Sequence, residues 1–170
     1  AHSLIWNVQL DQTLMGGWMT RVAYQERVGR DDYAVQPTMT GPQDGVLVLT
    51  GDASSRSRSF EVTTGFRSAH GAQQAYVSYV RSSTEGRLND LMTVTGNRAR
   101  AQVLEDATAP LNADVPHRLL TWGMFSLPCH LTLSPFLEVR SGFPFTQIDE
   151  EWNVVGTRND FRFPLFVSLD

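Results

Sequence analysis

Apolar and polar residues alternate along most of this chain with a period of two. Leu4, Trp6, Val8 and Leu10 alternate with Ile5, Asn7, Gln9 and Asp11. After a short connection carrying Gly16 and Gly17, Trp18, Thr20, Val22 and Tyr24 alternate with Met19, Arg21, Ala23 and Gln25. Successive side chains of a strand point to opposite faces, so this pattern predicts a hairpin with one apolar and one polar face. Phe60, Val62, Thr64 and Phe66 continue it, with a parity slip near Ser59 that predicts a bulge. Strands are also predicted over 73–83 and 117–127. The cleanest alternation sets Leu131, Leu133, Pro135, Leu137 and Val139 against Thr132, Ser134, Phe136, Glu138 and Arg140. Leu165, Val167 and Leu169 begin a last strand.

The predicted fold is all-β, an antiparallel up-and-down meander of about seven strands and no helix. Its connections alternate short and long. The short ones lie at Gly16–Gly17, at Ser68-Ala69-His70-Gly71 and at Pro128-Cys129-His130; the long ones run over 26–44, 84–115 and 141–162. A β-meander that crosses a bilayer has this rhythm, with tight turns in the periplasm and long loops outside. Trp18, Phe66 and Phe125 stand beside the short turns, where an interfacial aromatic girdle would place them. The parity predicts that Val8, Val22, Val62, Leu133, Leu137 and Val139 face lipid. A soluble β-sandwich that binds carbohydrate or protein also yields alternating strands, and a small eight-stranded adhesion barrel is a third reading.

Composition narrows the classes. Among 170 residues, 41% are hydrophobic, too many for a disordered chain. No apolar run approaches the roughly 18 residues of a membrane helix. The net charge of −4, with all 14 basic residues being Arg, leaves no basic field for nucleic acid. A single cysteine, Cys129, excludes an internal disulfide and any multi-cysteine metal site. Both ends fall inside the pattern, with no signal peptide ahead of it. Residues 1–170 are therefore expected to be one internal piece of a single barrel domain, without plug domain or signal peptide.

From Asp114-Val115-Pro116-His117-Arg118 through Trp122-Gly123 and Leu127-Pro128, the chain resembles the outer-membrane β-barrel of TonB-dependent receptors. The branch it is most similar to is Oar-like and carries a carboxypeptidase-regulatory-like domain. Leu131-Thr132-Leu133-Ser134-Pro135, Arg140-Ser141-Gly142-Phe143-Pro144-Phe145, Val155-Gly156-Thr157-Arg158-Asn159 and Arg162-Phe163-Pro164 extend the likeness, with Val77-Ser78-Tyr79-Val80-Arg81-Ser82 upstream. It covers about 56–170 and is loose before that. The resemblance implies a non-enzymatic piece of the barrel wall and extracellular loops of an active-transport receptor in the cell outer membrane. Its implied partners are outer-membrane lipid, the protein's own plug domain, the TonB complex and a transported ligand.

Candidate chemistry is sparse, and neither a catalytic residue nor a cofactor is expected. His2, His70, His117 and His130 have no metal-ligand spacing on one element. Cys129 and His130 are adjacent in a turn, which does not supply an oriented base. Asp149, Glu150 and Glu151, followed by Trp152, form an acidic loop cluster that could contact a cation or basic ligand. Glu138 and Arg140 share a parity and are expected to point into the lumen, pairing across strands with neighbours such as Arg81.

Overall fold

The structure, a computed structural model, describes residues 1–39, 45–69, 71–87, 108–150 and 154–170. Its long strands are β1 (His2–Thr13), β2 (Trp18–Met39), β3 (Gly45–Arg67) and β4 (Gln73–Gly86). A two-residue β5 (Ala109–Pro110) precedes β6 (His117–Leu127), β7 (Leu131–Leu133) and β8 (Phe136–Arg140). Four more two-residue strands follow, β9 (Pro144–Phe145), β10 (Gln147–Ile148), β11 (Val154–Val155) and β12 (Phe161–Arg162), and then β13 (Phe166–Leu169). The protein is all-β. The principal sheet has the order β1-β2-β3-β4-β6-β8-β13, with β5 beside β4 and β7 beside β6. Every pairing in it is antiparallel, so the sheet is a meander in chain order.

Local chemistry sets the strand ends. Gly16 and Gly17 close the first turn with φ of 74° and 83°. A Cβ on Gly17 would lie 2.0 Å from the Arg67 carbonyl oxygen, so the position excludes every other residue. The turn Pro128–His130 follows β6 at the predicted place. β7 and β8 keep one register against β6, Phe125 opposite Leu133 and Trp122 opposite Phe136. They are one strand broken at Pro135, which has no N–H to donate; its carbonyl still accepts a hydrogen bond from the Gly123 N–H at 3.2 Å.

The long connections and the bulge differ from the sequence expectation. The stretch 26–44 is not a polar connection: β2 continues to Met39 and β3 begins at Gly45, so a long hairpin rises beyond the rest of the sheet. Nor is there a bulge at Ser59. Pairing of β2 with β3 is unbroken from Trp18 opposite Phe66 to Arg30 opposite Ser54, and the register shifts only between Arg30 and Ala34, where Asp31 takes a φ of 55°. The slip in polarity comes from Arg56 and Arg58, which share the face of Phe60 and Val62 while the pleat continues. The other long connections also carry strand: β4 runs on to Gly86, and 141–162 holds two small ribbons, β10 with β11 and β9 with β12.

The sheet has almost no core. Among the described residues, the buried hydrophobic ones are Ala34, Val35, Ala53 and Ala109. The accessible surface is 11674 Å², against about 8,400 Å² for a compact monomer of this mass. A sandwich would bury the inner faces of two sheets against each other. Here the strands outside the principal sheet are only the two ribbons, and no second sheet covers either face among the described residues. Among the described residues no helix is long and apolar enough to cross a membrane, which leaves crossing by strands open.

Candidate functional site

Cross-strand partners in an antiparallel sheet project to the same face, so the register reads out two faces row by row. One row runs Leu10, Val22, Val62, Tyr79, Leu119, Val139 and Val167, crossing all seven positions of the sheet without a charged residue. Val8, Leu133 and Leu137 lie on the same face as Val22, Val62 and Val139. Much of it is open, with Val8 62% and Val167 58% exposed.

Aromatic rings bracket the strip at both ends. At the short-turn end Trp18 packs on Phe66 with centroids 5.3 Å apart, and Phe125 lies on the same face. At the long-loop end Trp6 packs on Tyr24 at 5.2 Å, Phe60 sits opposite Tyr24, and the Tyr79 hydroxyl meets Nδ1 of His117 at 2.7 Å. Only the first group stands beside the short turns in the sequence. From Trp18 to Tyr24 the strip spans about 20 Å along the strand.

Just beyond the upper aromatics the same face becomes charged. Arg56 Nη2 lies 2.5 Å and Arg58 Nε 3.3 Å from Glu26 Oε1, and Glu26 is only 8% exposed. The hydrogen bond from Arg56 holds the Glu26 carboxyl below its ordinary value of 4.5; burial opposes this, and Arg58 adds to the lowering. A carboxyl whose folded value is depressed stabilises the fold above its unfolded value and loses that contribution as pH falls through the folded value. The cluster is therefore expected to persist at pH 4.5 and to open only at more acid pH. A carboxyl chemical-shift titration of Glu26 checks this, and a midpoint at or above 4.5 would contradict it.

The opposite face carries a polar row: Asp11, Arg21, Thr63, Ser78, Leu120, Glu138 and Ser168. Arg21 Nε donates to Asp11 at 2.7 Å. Thr63 and Ser78 donate to Glu61 at 2.7 and 3.1 Å and meet each other at 2.9 Å. Glu138 and Arg140 are together on this face, as their parity predicted. The expected partner is wrong, however. Arg81 projects from the other face, beside Phe60. Glu138 instead accepts from Arg118 Nε at 2.9 Å, with Arg140 Nε at 3.6 Å. Arg118 and Arg140 are directly opposite each other, so Glu138 offsets a like-charge pair. The Arg140 guanidinium is also held 4.3 Å above each of the Phe143 and Phe166 rings. Tyr76 stacks on Trp122 at 5.3 Å on the same face.

A third cluster, which sequence reasoning missed, ties the loops at the long-connection end to the sheet. Asp114 accepts from the Thr84 N–H at 2.6 Å and pairs with Arg162. Asn159 donates to the Pro110 carbonyl at 2.7 Å and to Asn112 at 2.8 Å, while Arg158 donates to the Gly86 carbonyl. Asp114, Arg158 and Asn159 are all buried. These residues stand in irregular segments, where no period marks a buried polar side chain.

Of the acidic loop residues, Asp149 and Glu150 are exposed next to β10, while Glu151 and Trp152 lie outside the described residues. Among the described residues no group of His, Cys, Asp and Glu is placed to hold a metal ion. His2 stands 3.1 Å from Asp31, His130 is exposed in its turn with Cys129, and His70 lies outside the described residues. No family model, curated protein or solved structure matches the chain.

Proposed function

We propose that the chain forms part of the wall and extracellular loops of an outer-membrane β-barrel receptor of the TonB-dependent kind, a passive conduit whose transport is driven elsewhere. The observation that carries this reading is the seven-strand apolar row, uncovered and bracketed by aromatics, set back to back with a hydrogen-bonded polar row. An uncovered apolar face of this extent needs a partner. Lipid on one side and a wet lumen on the other match the alternation rule of membrane barrels. The charges of the polar row would line the lumen, and the Asp114–Arg162 loop cluster would lie at the cell surface. The plug domain, the TonB complex and a transported ligand are the partners this reading brings with it, the last contacted by the loops and the lumen wall.

The test is partitioning. Expressed without detergent, the chain is expected to aggregate, because among the described residues nothing covers the apolar row or pairs the outer edges of β1 and β13. Added unfolded to phospholipid vesicles, it is expected to gain β signal and to float with them. A monomeric product that unfolds cooperatively in plain buffer would overturn the reading.

A further inference from the structure

We propose that Arg58 and Arg81, with Tyr24 and Phe60, form a site for the phosphorylated headgroup of a membrane lipid on the outer wall, at the loop-side boundary of the apolar strip. This deepens the proposed function and rests on its membrane assignment.

The register brings these residues together. Tyr24 is opposite Phe60, Phe60 is opposite Arg81, and Arg58 stands one same-face position above Phe60 on β3. They line a shallow cleft of about 170 Å³ with Ser83. Two carboxylates share this part of the face, and both stand beside Arg56. Glu26 takes its shorter bond from Arg56, and Glu85 is the cross-strand partner of Arg56. Arg58 keeps only the longer 3.3 Å contact to Glu26, and Arg81 makes no ion pair among the described residues. The cleft therefore holds a surplus of positive charge with guanidinium donors to spare.

Position decides which anion fits. An arginine on the lipid face is costly at mid-bilayer, and the cost fades toward the interfaces. These two stand at the interface, level with or just above Tyr24 and Phe60. A phosphate received there would meet two planar donors able to bind it bidentately. The chains of its lipid would run down the wall over Val22, Val62 and Val77, on the same face below the cleft. A free phosphate ion would gain the guanidinium contacts but nothing from the apolar strip. Basic pockets at a membrane boundary select anionic headgroups on these grounds.

The experiment is native mass spectrometry of the full chain in neutral detergent micelles, titrated with phosphatidic acid or with phosphatidylcholine. The expected result is phosphatidic acid binding about tenfold tighter, a preference lost in the Arg58→Gln/Arg81→Gln double variant and kept in Arg67→Gln. Circular dichroism of each variant in the micelles establishes that the strands are retained. A preference unchanged in the double variant would overturn the site. Competition by inorganic phosphate as effective as that by the lipid would overturn the lipid as its ligand. A chain that enters phosphatidylcholine vesicles yet shows no headgroup preference defeats this proposal alone. A chain that enters no bilayer defeats the membrane assignment and this site with it.

Discussion

Arginine in place of Val22 is expected to lower the stability of the bilayer-folded protein by about 2–4 kcal/mol, whereas arginine in place of Gln25 on the same strand should cost much less. Val22 lies between Leu10 and Val62 in the apolar row. A guanidinium there would face hydrocarbon on the proposed reading, two residues from the nearest aromatic belt and unable to reach water without bending along the wall. Gln25 is exposed on the other face between Asn7 and Ser59, where an added charge stays hydrated. Urea unfolding from vesicles measures both, since a shift in midpoint at constant slope reports stability. Equal shifts for the two variants would show that the faces do not differ in their surroundings.

Alanine at Asp114 is expected to cost about 2 kcal/mol, most of it as local opening of the loops. Asp114 is 4% exposed and its carboxylate serves two elements at once. One oxygen accepts from the Thr84 N–H near the end of β4, and the other pairs with Arg162 in β12, which also donates to the Asp114 carbonyl at 3.0 Å. Without the carboxylate a backbone donor is stranded, and Arg162 loses the anchor that draws β12 toward β4. Arg162 is exposed and can turn to water, so most of the cost comes from the part-buried Thr84 N–H left without its acceptor. Asp114→Asn should recover part of the loss, since one acceptor remains for Thr84. Hydrogen exchange and limited proteolysis are expected to show faster opening of 108–116 and 154–163, with Val62 and Ser78 in the sheet unchanged. Equal loss of protection in the sheet would mean that the network supports the whole fold rather than the loops.

The strands were legible wherever one side of the sheet is apolar and the other polar. β6 runs over His117–Leu127 as expected, and both glycine- and proline-bearing turns stand where their chemistry placed them. Legibility failed where that contrast ends. Past Tyr24 both parities of β2 become polar, with Glu26, Arg27, Arg30, Asp31 and Asp32, so a strand that continues to Met39 reads as loop. A hairpin pairs through its backbone there, and no alternating face is required of it. The partner of Glu138 was illegible for another reason: parity gives a residue's face, but only the register tells that Arg118 is its neighbour and that Arg81 projects the opposite way. The buried Asn159 and Asp114 were out of reach because two-residue strands such as β9 and β12 leave no period to read.

The central claim is that consecutive residues of one strand meet lipid and water in turn, and a spin-label scan along β3 from Phe60 to Phe66 tests it most directly. The full chain is folded into vesicles with one nitroxide-labelled cysteine at a time in a Cys129→Ser background, and relaxation by oxygen is compared with relaxation by a water-soluble nickel complex. Labels at positions 60, 62, 64 and 66 are expected to favour oxygen, and those at 61, 63 and 65 the nickel complex, a period of two held across the strand. Nickel access at Val62 equal to that at Thr63 would place water on both faces of the sheet and contradict the account.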